Sequence, residues 1–159
     1  SIAEDAWDSI CGWGPTAMLP IFNILGNDYK TKNIVSHIDD EGHDQFTKID
    51  FLYDHAVASA TVAKGVKSEG ELIVSGTKGY IYVPAPWWKT DYFEVRYEDA
   101  SQNKRYFYQL DGEGIRYELV AFTRAIESGR NLSYVDSNVS NRICKVVGDF
   151  YSGNDLKII

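Results

Sequence analysis

The sequence predicts an α+β domain in which helices gather on one face of a largely antiparallel, open sheet of about seven strands. Three observations carry that prediction. Helical periodicity occupies both ends of the chain, short β-rich runs bounded by turn residues fill its middle, and the connections between those runs are too short for parallel crossovers. At 159 residues, 44% hydrophobic and 14% aromatic, the chain has the size of one ordinary globular domain, which buries about 70% of its unfolded surface. Residues 1–159 are therefore read as a single domain, without internal repeat, low-complexity tract or interior linker.

The first element is a helix within Gly14 to Gly26, where Pro15 suits a first turn and Gly26 the residue just past the end. Pro20 opposes it, because a proline beyond the first turn removes a hydrogen bond and costs ~3 kcal/mol. A kink or a late start is expected there. The β-rich runs follow: Lys30 to Ile38, Asp44 to Tyr53, Ala56 to Val66, Glu71 to Ser75, Gly79 to Val83, Tyr92 to Glu98 and Lys104 to Leu110. Within Phe46 to Phe51 and Tyr92 to Tyr97 apolar and polar residues nearly alternate, which sets one side of each strand on a core. Ala56 to Ala63 departs from alternation, as expected of a sheet covered on both faces, by helices on one and by a second copy of the sheet on the other.

After Leu110 the period becomes helical again. Ile115, Leu119, Phe122 and Ile126 recur at helical spacing and Gly129 is a natural stop. Asp136 is a good N-cap for a last helix, with Val139, Ile143, Val146, Val147 and Phe150 on its inner side and Gly153 beyond its end.

A formal net charge of −7 argues against a nucleic-acid partner, since such binding draws its affinity from Lys and Arg meeting phosphates and no basic stripe exists here. The acidic runs Asp39-Asp40-Glu41 and Glu98-Asp99 fall at expected turns and read as solvated loops. Cys11 and Cys144 belong to no metal-binding spacing and read as free thiols. No stretch approaches 18 uncharged apolar residues, and acid stands near the start where a signal peptide needs base. The expectation is a soluble, cytoplasmic protein with no membrane partner.

Three stretches in order, Gly12 to Gly26, Glu69 to Trp88 and Gly114 to Gly129, resemble the C-terminal domain of the Gfo/Idh/MocA oxidoreductases. The best-marked parts are Gly76-Thr77-Lys78-Gly79-Tyr80-Ile81-Tyr82-Val83-Pro84, similar to the family's G-T-x-G strand pair, and Gly114 to Phe122, similar to the start of its penultimate helix. The resemblance implies a domain that shapes the pocket for a sugar, sugar phosphate or polyol and forms the oligomer interface. Its partner would be an N-terminal Rossmann domain binding NAD or NADP. The sequence carries no G-x-G-x-x-G after a strand and no Glu-Lys-Pro motif. The implied chain is thus the substrate-side half alone, inactive in isolation, with no cofactor bound by itself.

The family introduces the first helix with Asp-x-Gly-x-His, the acid and the imidazole lying near the reacting carbon. Aligned on Gly14 and on Leu25-Gly26, this sequence places Gly12 and Thr16 at those two positions. Oxidising an alcohol needs a base for the hydroxyl proton, and neither residue serves. A register slip of four positions offers Asp8 as the catalytic candidate, while Thr16 and Trp13 are the candidate substrate contacts, one by a hydroxyl and one by an indole face. His37, which could neighbour Asp50 across a hairpin, is read as a polar surface residue, and Trp87-Trp88 as one inward and one outward side chain. Two further readings stay open: an inactive scaffold or binding module of the same family, and a carbohydrate-binding β-rich domain.

Overall fold

A computed structural model describes residues 9–109, 112, 114–130 and 133–159. They form an α+β fold with three α-helices and two four-stranded, mostly antiparallel sheets. The chain divides into two compact units, one made of Ser1–Lys67 with Tyr134–Ile159 and the other of Ser68–Ser133.

The first unit holds α1 (Ser9–Leu25), β1 (Thr31–Ile38), β2 (Asp44–Leu52), β3 (Val57–Ala63), α3 (Ser137–Tyr151) and β8 (Leu156–Ile158). Its sheet runs β3-β2-β1-β8, with β8 parallel to β1 and every other pairing antiparallel. Register sets Ala60, Ile49, Ile34 and Leu156 side by side across all four strands, on one face. That row and Phe51 meet Ile10, Met18, Ile21 and Phe22 of α1 and Val139, Ile143, Val146 and Phe150 of α3 in one core. Phe22 and Phe51 pack edge to face at 5.2 Å, and Tyr29 closes on Phe51 at 5.1 Å. Burial of an aromatic ring of this kind contributes about 1.5–3 kcal/mol. At the rim Lys32, on the same face of β1, reaches Asp149 at 2.8 Å and also pairs with Asp155.

The second unit holds β4 (Leu72–Gly76), β5 (Gly79–Val83), β6 (Tyr92–Tyr97), β7 (Lys104–Phe107) and α2 (Ile115–Ser128). Its four strands form an antiparallel meander in sequence order. At the β4–β5 turn a Cβ on Gly79 would stand 2.4 Å from the carbonyl oxygen of Arg96, so the close approach of β6 admits only glycine. One face carries a polar ladder: Glu94 receives Arg96 at 2.6 Å and also Arg105, while the Arg96 guanidinium lies 4.4 Å from the Tyr82 ring centre. The other face is apolar, with Phe93 stacked on Tyr106 at 5.0 Å. No described residue of this unit is buried.

Several expectations need correction. The single sheet of about seven strands is two sheets of four, and the stretch 64–71 between β3 and β4 forms no strand and holds Gly65 and Gly70 in the left-handed region at φ 81° and 76°. The helix, for which a kink or a late start at Pro20 is expected, is already formed at Ser9 and runs through both Pro15 and Pro20. The stripe Ile115, Leu119, Phe122 and Ile126 lies on a helix as expected, yet each of the four is more than 60% exposed and none joins a core. His37 faces Phe46 in the β1–β2 register, whereas Asp50 stands opposite Asn33 and is held by Ser59 and Lys48. The tryptophan pair sits on a 3-10 turn rather than on extended chain, with Trp87 half-buried and Trp88 exposed. The acidic run fares as expected: Asp39 accepts the backbone N–H groups of Glu41 and His43 in the β1–β2 turn.

Candidate functional site

The first three turns of α1 carry the residues singled out from sequence. Trp13 and Thr16, three apart, lie on one side of the helix, which puts their Cβ atoms about 5–6 Å apart. Trp13 is half exposed and Thr16 half-buried. The Thr16 hydroxyl makes no hydrogen bond among the described residues, so it does not cap a backbone amide. Its carbonyl is also outside the helical ladder, because Pro20, four residues on, has no N–H to donate. Thr16 thereby offers a hydroxyl and a carbonyl oxygen at one place. Gly12 has nothing within 4 Å of where a Cβ would stand, and it borders the same face. Asp8 lies outside the described residues.

What holds this end of α1 comes from the sheet. Asp44, fully buried at the start of β2, accepts the Ile10 backbone N–H at 2.9 Å and the Thr47 hydroxyl at 2.8 Å through Oδ2. Its own carbonyl accepts the Ser9 hydroxyl at 2.8 Å, and Thr47 Oγ1 lies 2.7 Å from Ser36 Oγ. A carboxylate here accepts a backbone amide of the Ser9–Ile10 turn and complements the positive end of the helix dipole. Asp44 therefore fixes the helix that presents Trp13 and Thr16. Being completely buried, it does not itself meet a ligand.

Sequence reasoning missed Asp44 because its partner Ile10 is 34 residues away, beyond any local capping pattern. The only available signal was an acidic residue opening a strand whose neighbour Thr47 is also polar.

Gly12, Trp13 and Thr16 can stack, donate and accept, but none of them titrates near neutral pH. Among the described residues no group of three or more His, Cys, Asp or Glu is placed to hold a metal ion, and no helix is long and apolar enough to cross a membrane. A nicotinamide dinucleotide needs a parallel strand, a glycine-rich turn and a helix N-terminus under its pyrophosphate. Among the described residues the only parallel pairing is the short contact of β1 with β8, two elements far apart in the chain. That arrangement does not occur among the described residues.

No family model and no curated protein matches the sequence. Solved structures share the fold. The chain superimposes on KijD10, a 3-ketoreductase from Actinomadura kijaniata in complex with NADP, with a TM-score of 0.77 at 14% identity, over 96% of this chain and 49% of that one. A probable oxidoreductase, yhhX, gives a TM-score of 0.66 at 15% identity, over 96% of this chain and 50% of that one. The aldose-aldose oxidoreductase from Caulobacter crescentus, complexed with glycerol, gives 0.69 at 16% identity, over 87% and 43%. The chain thus spans about half the length of the structures it matches.

Proposed function

We propose that this chain is the substrate-binding and oligomerisation half of an NAD(P)-dependent oxidoreductase of the Gfo/Idh/MocA type, acting on a sugar, sugar phosphate or polyol. The observation that carries the reading is the superposition of nearly the whole chain on about half of KijD10, a 3-ketoreductase in complex with NADP. Support from the sequence is independent of it. The Gly76-to-Pro84 motif falls on the β4–β5 hairpin with Gly79 under steric obligation, and the Gly114-to-Phe122 motif opens α2. In this reading a Rossmann domain of the parent protein binds the nicotinamide cofactor, the Trp13–Thr16 face of α1 meets the substrate, and Asp8 is the candidate proton acceptor.

A coupled assay of the parent protein tests it by following nicotinamide absorbance over a panel of aldoses, ketoses and polyols. Turnover is expected with at least one of them, none with this chain alone. Thr16→Val and Trp13→Ala should each lower kcat/KM about tenfold or more, the value of one lost hydrogen bond to a polar substrate or one stacking face. A parent with no turnover over the whole panel, yet with saturable sugar binding, would leave the reading of an inactive binding module; Gly12 and Thr16 at the acid and imidazole positions favour that second reading.

Self-association belongs to the same proposal. Leu52 and Val57 stand opposite each other at the outer side of the first sheet and are 43% and 73% exposed. Covering them calls for a partner face. Sedimentation should show a dimer or higher species that Val57→Glu dissociates, and a strict monomer at micromolar concentration removes this part of the proposal.

A further inference from the structure

We infer a second ligand site in the first unit, at the opposite end of α1, built to hold the phosphate of a small phosphorylated polyol. From Thr16 to the helix end at Leu25 the axis runs about 14 Å, so this site is separate from the Trp13–Thr16 face and does not rest on the function proposed above.

Asn27 and Asp28, in the turn after α1, form one wall of a cleft of about 530 Å³, and Asn138, Asn141, Arg142 and Lys145 of α3 form the other. That size lies within the roughly 300–1,000 Å³ of small-molecule sites. The four α3 residues recur at helical spacing along one side of the helix, which sets two cations beside two carboxamides.

Arg142 is the decisive group. Its guanidinium lies 5.3 Å from the centre of the Tyr29 ring and makes no hydrogen bond or ion pair among the described residues. A guanidinium carries five N–H donors in a rigid fork that matches two phosphate oxygens. Here the fork is oriented by an aromatic face and half-buried, yet it has no acceptor among the described residues. Lys145 shares its charge with Asp149 at 2.9 Å while remaining more than half exposed, so its ammonium has capacity left for an incoming oxyanion.

The rest of the cleft selects against a bare ion or a larger anion. Carboxamides both donate and accept, which suits hydroxyl groups, and the cleft exceeds the volume of one phosphate several-fold. The Asp28 carboxylate repels a second negative group but accepts from a hydroxyl. A phosphate monoester with a hydroxylated body satisfies the cations, the amides and Asp28 together; a diphosphate does not.

Calorimetric titration of the full 159-residue chain with glycerol 3-phosphate, inorganic phosphate and glycerol tests the assignment. Saturable binding of the ester is expected, with weaker binding of phosphate and none of glycerol. Arg142→Lys, which keeps the charge and the stem but loses the fork, should weaken the ester about tenfold, in line with the ~1.5 kcal/mol or more of a charge-assisted hydrogen bond. Asn141→Ala, at an exposed position where folding is not at stake, should weaken the ester severalfold and leave inorganic phosphate unchanged. No saturable heat with either phosphate, or an affinity unmoved in both variants, overturns the site. Equal affinity for ester and inorganic phosphate overturns its assignment to a polyol.

Discussion

The two units are built on different principles. In the first, helices α1 and α3 close one side of the sheet, and every fully buried side chain among the described residues lies there. The second has a sheet of the same size and a 14-residue helix, yet no described residue of it is buried. Its strands are tied by surface devices instead: the Arg96–Glu94–Arg105 ladder and stacked aromatic pairs. Exposed ion pairs contribute about 0–1 kcal/mol each, whereas a buried aromatic ring contributes several times that. Sheet size alone therefore does not decide independence. A core does, and among the described residues only the first unit has one.

The sharpest way to break this contrast is Phe51→Ala. It removes a fully buried ring from contact with Phe22 and Tyr29 and should cost about 3–5 kcal/mol, read as a lowered urea midpoint. A loss below 1 kcal/mol would mean that the first unit is not held by this core.

Acid should act next, again through the first unit. Burial would raise the Asp149 carboxyl, but hydrogen bonds from Lys32, Lys145 and Asn154 outweigh it and hold the group down at about 2, below its ordinary 3.8. A depressed carboxyl stabilises the fold fully above its unfolded value, and the contribution is lost as pH falls from there through 2. About 2 kcal/mol should disappear across that window. Lys32 is raised, although burial opposes it, by its bonds to Asp149 and Asp155. Its contribution is fully present below its ordinary value and is lost only in strong alkali, as pH rises through the raised one. In Asp149→Asn the acid limb of the stability profile should flatten, and an unchanged limb would assign acid sensitivity elsewhere.

Two glycines sharpen the contrast further, with opposite signs. Gly79→Ala forces a side chain against the Arg96 carbonyl and should cost about 1–3 kcal/mol. Hydrogen exchange should then quicken in β5 and β6 while the amides of β1 and β2 keep their protection. Gly12→Ala meets open space inside α1 and should stabilise the first unit by up to about 1 kcal/mol, since alanine loses less backbone freedom in a helix. A destabilised Gly12→Ala would show that this face of the helix is covered.

How much of this was legible in the sequence depends on how local each cause is. Strands β1 to β7 appear within a few residues of their expected ends, because alternation and turn residues are local signals. Asp136 caps α3 as expected, its side chain accepting the Asn138 N–H at 2.8 Å. The early start of α1 was not legible, because its cap is Asp44. Strand β8 is three residues, Leu-Lys-Ile, paired in parallel with a distant strand; no pattern that short identifies itself. The amphipathic stripe of α2 was legible as a helix but not as an exposed one, since periodicity tells which side is apolar and not what covers it. At the candidate site the sequence pointed to Trp13 and Thr16, and Pro20 four residues on already implied a freed Thr16 carbonyl, whereas the Asp44 support could not be read without the fold.

The bond between Asp44 and the start of α1 also orders events in time. A helix normally nucleates from local contacts in well under a microsecond, but the bond that ties the Ser9–Ile10 turn of α1 to the sheet forms only when the β1–β2 hairpin delivers a residue 34 positions downstream. That turn, and with it Trp13, is completed only after a hairpin that itself needs microseconds has docked. The Asp44-held end of the helix is in this sense the last part of the first unit to be finished, and the first to be released when the hairpin lets go.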